Sequence, residues 1–103
     1  MPMDIQELTK KVREKPENIL LQFSLGQALF EKGQYADAIA PLQTCAEKKG
    51  DWMMARILLG KAYLQLQKPA EAKACLEQAL PLAIDQQHED PEQEIREILH
   101  SLE

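Results

Sequence analysis

The side chains of this sequence best suited to metal ligation, nucleophilic attack or proton transfer near neutral pH are His88, His100, Cys45 and Cys75. Their spacing does not build a site. Neither histidine has a second histidine or a cysteine three or four residues away, the separation that would put two ligands on one helical face. His88 sits in the polar run Asp85-Gln86-Gln87-His88-Glu89-Asp90 and His100 close to the end of the chain, so both read as solvated imidazoles. The cysteines are thirty residues apart with no CxxC, which fits neither a disulfide framework nor a zinc site. They read as reduced, inert thiols on packing faces in a cytosolic chain. Gly-rich phosphate loops, HExxH and GxSxG are absent from the sequence. The expectation is a protein without catalytic residues, metal ligands or a cofactor.

The elements that would have to position any site are helices. A chain of 103 residues and 11.7 kDa holds one layered core and not two domains. It is 45% apolar but only 5% aromatic, with four glycines, too few turn and strand formers for a β architecture. The net charge of −5 offers no cationic surplus for displacing phosphate counterions, which argues against nucleic acid. The opening Met1-Pro2-Met3-Asp4-Ile5 has no basic, then apolar, leader pattern, and no apolar run approaches the roughly 18 residues of a membrane span. A cytoplasmic chain, neither exported nor membrane-bound, is expected. The charge is uneven: residues 1–84 carry eleven Lys or Arg against ten acids, residues 85–103 one Arg96 against seven acids. That acidic tail reads as the solvated outer face of a terminal helix, or alternatively as a docking surface for a basic partner.

Self-similarity then organises the chain. Leu25-Gly26 recurs as Leu59-Gly60, Ala28 as Ala62, Leu29 as Tyr63, Ala38 as Ala72, Leu42 as Leu76 and Cys45 as Ala79, every pair 34 positions apart. Within each copy the apolar residues have helical spacing on both sides of a break, Gly33-Gln34 in the first. The unit is therefore helix, tight turn, helix. Gly26 and Ala38 should stand where the two helices cross closest, since a larger side chain there would force the backbones apart.

These residues resemble the tetratricopeptide repeat (TPR), a 34-residue antiparallel helix pair with large residues at unit positions 4, 7, 11 and 24, small ones at 8, 20 and 27, and proline at 32. With units counted from Ile19 and Met53, Leu25, Gly26, Leu29, Ala38, Leu42 and Cys45 match, as do Leu59, Gly60, Tyr63, Ala72, Leu76 and Ala79. Position 4 departs, with Gln22 and Arg56 for a large aromatic, and so does position 32, with Gly50 and Ile84 for proline. The resemblance implies an all-α solenoid with units at 19–52 and 53–86. Residues 1–16 form an N-terminal flank, in which Ile5, Leu8 and Val12 share a helical face before Pro16, and residues 90–103 a capping helix. That makes about six helices. Asp90-Pro91-Glu92-Gln93 predicts the start of the last, with Asp90 as N-cap, Pro91 at the first position and Gln93 as capping-box partner. Pro41 and Pro81 fall inside second helices, each removing one backbone hydrogen bond, and Pro41 predicts a bend.

In the family, unit positions 2, 5, 9, 12 and 13 point into a concave groove. Carried over, they are Leu20, Phe23, Gln27, Phe30 and Glu31, then Met54, Ile57, Lys61, Leu64 and Gln65. The relatives that clamp a chaperone C-terminal carboxylate have lysine at position 5 and asparagine at position 9. Phe23 and Gln27 stand there instead, so the resemblance implies no such clamp. An apolar set of this size should be covered. Three coverings compete: a helix or peptide of a partner protein, a second copy in a homodimer or larger structural homo-oligomer, or the chain's own flanking helices. The partner reading makes the protein an adaptor, in which Phe23→Glu or Ile57→Glu would abolish capture and leave helical content largely unchanged.

Overall fold

The computed structural model describes residues 4–103; Met1-Pro2-Met3, the start of the expected N-terminal flank, lie outside the described residues. Six helices follow one another: α1 (Ile5–Glu14), α2 (Ile19–Glu31), α3 (Tyr35–Lys48), α4 (Met53–Gln65), α5 (Pro69–Asp85) and α6 (Glu89–Ser101). No strand occurs among the described residues. The all-α expectation holds.

The helices pack in chain order, α2 with α3 and α4 with α5 most extensively, α3 with α4 nearly as much, and α1 and α6 at the two ends. Glycine fixes the closest approach in each pair. A Cβ at Gly26 would lie 2.7 Å from Leu42 Cγ, and one at Gly60 2.9 Å from Leu76 Cγ and 3.4 Å from the Ala72 carbonyl oxygen. Leu42 and Leu76 are fully buried. Leu8 stands 34 residues before Leu42 and is buried in the same core, so α1 continues the register of the second helices.

Two cores result. Leu8, Leu25, Leu29, Ala38, Leu42, Leu58 and Leu59 join α1, α2, α3 and the near side of α4. Met53, Ile57, Leu76, Ala79, Ala83 and Ile95 join the far side of α4 to α5 and α6. α4 is thus apolar around most of its circumference, as a helix between two cores must be. Pro41 and Pro81 lie within continuous helices, Pro41 buried.

Three of the connections end in the same way. After α2, the Gln34 N–H donates to Leu29 O (2.9 Å) and the Gly33 N–H to Phe30 O (3.0 Å), with Gly33 at φ +77°. After α4, Lys68 and Gln67 repeat this on Tyr63 and Leu64, and after α5, His88 and Gln87 repeat it on Ala83 and Ile84. These are Schellman ends, in which a left-handed residue lets its own amide and the next one satisfy the last carbonyls. Gln67 (φ 60°) and Gln87 (φ 58°) occupy the left-handed position without glycine.

The third of these turns corrects the expected start of the last helix. The His88 N–H is already tied back to Ala83 O (2.9 Å), and the His88 carbonyl accepts from the Glu92 N–H (3.0 Å). The chain therefore enters α6 at Glu89, with His88 as N-cap and no side-chain cap bond. Asp90 lies inside the first turn, where its charge still favours the helix dipole. Gln93 does not reach back to a cap; its Nε2 donates forward to Glu97 Oε1 (3.0 Å).

The departures at unit position 4 also have a physical account. Gln22 Nε2 donates to Pro16 O (3.1 Å), and Arg56 Nε donates to Gly50 O (3.1 Å), in both cases six residues back. Arg56 further donates to Ala46 O (3.3 Å) and Gln78 Oε1 (2.6 Å). A polar side chain at this position fastens the turn that precedes each first helix.

Candidate functional site

The ten groove positions separate into three environments. Leu20 is the most exposed large apolar residue among the described residues at 69%, and Met54 is 41% exposed. Phe23 is half-buried, one turn after Leu20 on α2, and stacks on Trp52 with ring centroids 4.6 Å apart and planes at 22°. These residues lie at one end of the molecule, because α2 and α4 run in the same direction and both begin there.

The local sequence sets this end. Asn18 caps α2 by accepting from the Leu20 and Leu21 amides (3.1 and 3.2 Å), which fixes the first turn that carries Leu20. Thirty-four residues on, Trp52 occupies the N-cap of α4 and makes no side-chain cap bond. A polar cap worth about 1 kcal/mol is absent there, and an aromatic stack of comparable worth takes its place. Trp52 is not among the groove positions that the repeat marks. Its signal in the sequence is that the single tryptophan falls in the turn between the two units, two residues before Met54.

The second environment is covered. Ile57 is 1% exposed, and Leu64 packs against the same core, beneath α6 through Ile95, Ile98 and Leu99. Lys61 Nζ is bound to Glu94 Oε1 of α6 at 2.8 Å. α6 therefore covers this stretch of α4, and Ile57→Glu would bury a carboxylate in the core. The expectation that this substitution leaves the fold intact is corrected accordingly. Phe30 is also turned to the interior, edge-on to Tyr35 with centroids 5.2 Å apart.

The third environment is polar. Gln27 and Glu31 are exposed and line a separate groove of about 910 Å3 between α1 and α2, with Ile5, Leu8 and Ala28 at its apolar side. Gln65 is exposed near the end of α4.

The reactive groups lie apart from all of this. Cys45 is fully buried, its Sγ donates to Ile19 O (3.4 Å), and burial pushes its pKa up to about 11. Burial raises Cys75 as well, with Arg56 opposing and Glu71 assisting. Both thiols are thereby held as poor nucleophiles. His100 Nδ1 lies 3.7 Å from Glu103 at the surface. Among the described residues no group of His, Cys, Asp or Glu is disposed to hold a metal ion, and no polar or charged side chain is buried.

The sequence matches the family model for subunit 3 of the anaphase-promoting complex, or cyclosome, over residues 7–79. It is 31% identical to a TPR repeat-containing protein of Pseudomonas aeruginosa over 101 residues, 98% of this chain and 96% of the relative. The chain belongs to the tetratricopeptide-repeat family. The fold of this TPR chain is also that of a Bordetella parapertussis protein solved in solution, with a TM-score of 0.79 over 99% of this chain and 89% of that one at 24% identity. TPR chains are in general protein-interaction folds, and no helix among the described residues is long and apolar enough to cross a membrane.

Proposed function

We propose that this TPR chain is a non-catalytic adaptor or scaffold of the cytoplasm that holds a helix or peptide of another protein on the apolar surface of Leu20, Phe23, Trp52 and Met54. The observation that carries the reading is the N-cap of α4: Trp52 makes no cap bond and stacks on Phe23, at the end of the molecule where Leu20 and Met54, two of the most exposed large apolar side chains among the described residues, also lie. An aromatic floor flanked by a flexible methionine and a leucine is the composition of an interaction hot spot. Gln27 and Glu31, in the groove between α1 and α2, and Gln65, at the far end of α4, stand apart from this surface. Ile57, Leu64 and Lys61 serve indirectly, by seating α6.

Covering Leu20 and Met54 is worth about 2–3 kcal/mol together, so Leu20→Ser with Met54→Ser should weaken partner binding by roughly 30- to 150-fold. Both are surface positions, so the circular-dichroism spectrum should not change. Affinity capture from native cytosol with the parent and the double variant makes the comparison. Equal recovery of the same proteins by both would place the working surface elsewhere. Sedimentation separates the homo-oligomeric alternative, which requires a species heavier than 11.7 kDa whose mass falls on dilution.

A further inference from the structure

The exposed apolar row has an acidic neighbour with the same period. Glu17, Asp51 and Asp85 are 34 residues apart, each three residues before Leu20, Met54 and His88. All six are exposed. The segments that carry them are held side by side: Phe23 stacks on Trp52, joining the start of α2 to the turn 49–52, and Gln86 Nε2, next after Asp85 at the end of α5, donates to Asp51 O (3.1 Å), joining that turn to the end of α5. Arg13, Lys15, Lys48, Lys49 and Arg56 lie at the same end, Lys49 3.6 Å from Asp51 in an exposed pair and Arg56 bound to Gly50 O, but the three acids of the row with Glu14, Glu47, Glu89 and Asp90 make seven against these five. An apolar pair, Leu20 and Met54, thus runs beside an acidic row made by the turns before α2 and α4 and by the end of α5.

We infer that the occupant of this surface is a cationic amphipathic helix of another protein, its apolar stripe on Leu20, Trp52 and Met54 and its Lys or Arg side chains over Glu17, Asp51 and Asp85. This rests on the interaction surface proposed above and adds the chemistry of the partner. α2 and α4 touch directly, and residues i and i+7 of a helix are about 10.5 Å apart on one face, the span of two anchors on neighbouring helices. One such pair can seat on Leu20 and Met54. The same acids weigh against a second copy, because a twofold interface at this surface would bring two ends with an excess of acids together, and Lys15 and Lys49, which share the 34-residue period, answer only two of the three acids in each row.

Three synthetic helical peptides without aromatic residues provide the probes: one with leucines at i and i+7 flanked by lysines, one with glutamates in place of the lysines, and one with serines in place of the leucines. Trp52, the single tryptophan, reports binding by its emission. The lysine–leucine peptide should bind saturably, and its affinity should fall about tenfold between low salt and about 0.5 M salt. The glutamate peptide should bind at least about tenfold more weakly, and the triple variant Glu17→Gln, Asp51→Asn, Asp85→Asn should lose about tenfold for the lysine peptide alone. Equal binding of the lysine and glutamate peptides, unchanged binding by the triple variant, or a dimer of the free protein closed over Trp52 would overturn the cationic partner. If instead the serine peptide binds as well as the leucine peptide, or Leu20→Ser with Met54→Ser changes nothing, the apolar surface itself is refuted.

Discussion

At the residue scale, what Cys45 does follows from where the repeat puts it. The family keeps this position small because it faces the partner helix, and here the thiol sits fully buried with its proton directed at Ile19 O. With a folded pKa raised to about 11, the neutral thiol is the form the fold accommodates. A cysteine in the unfolded chain ionises at about pH 8.5, so the contribution of this group to stability is intact below that pH and is lost as pH rises through about 11. Denaturant titrations should therefore show stability falling across this window in the parent and falling less in Cys45→Ala. A parallel decline in both would assign the effect to other groups. Native-state alkylation should label Cys75, which is partly exposed, well before Cys45.

At the element scale, small and polar residues decide how helices meet and end. A methyl group at Gly26 would run into Leu42 at its branch point, which is fully buried and has no space to yield. Gly26→Ala should thus cost about 1–2 kcal/mol by thermal or urea unfolding, although alanine is the better helix former by about 1 kcal/mol. A stabilised variant would show that the pair opens freely. Both glycines are legible in the 34-residue spacing, because a close helix crossing is what demands a small residue at the same register of both units. The start of α6 is not legible in the same way. Asp90-Pro91-Glu92-Gln93 has every local feature of a helix start, yet the hydrogen bonds that end α5 reach forward to His88 and commit the chain to helix earlier. Local capping preference is worth about 1 kcal/mol, and a turn closed by two backbone bonds outweighs it.

At the scale of the molecule, α6 determines how much of the groove remains open. It covers Ile57 and Leu64, holds Lys61 through Glu94, and leaves Leu20, Trp52 and Met54 at one end as the candidate surface. Ile95 is the fully buried anchor of that arrangement. Ile95→Ala should cost about 2–4 kcal/mol and raise hydrogen exchange in α6 and the adjoining face of α4 before it affects α1 and α2, which belong to the other core. Uniform exchange across all six helices would show instead that the two cores open as one.

The order of residues along the chain was enough to dictate the helix count, the paired-helix units, the close approach at Gly26 and Gly60, and the burial of Cys45. Each of these depends on a pattern repeated along the chain, and a repeat fixes which residues face a neighbour of the same kind. Which groove positions stay open, and that Trp52 joins them, emerged from the packed molecule alone. Those outcomes depend on α6, whose sequence departs from the repeat, and on a turn residue that meets Phe23 across 29 positions of chain. Contacts between non-equivalent elements have no period, so no spacing in the sequence announces them.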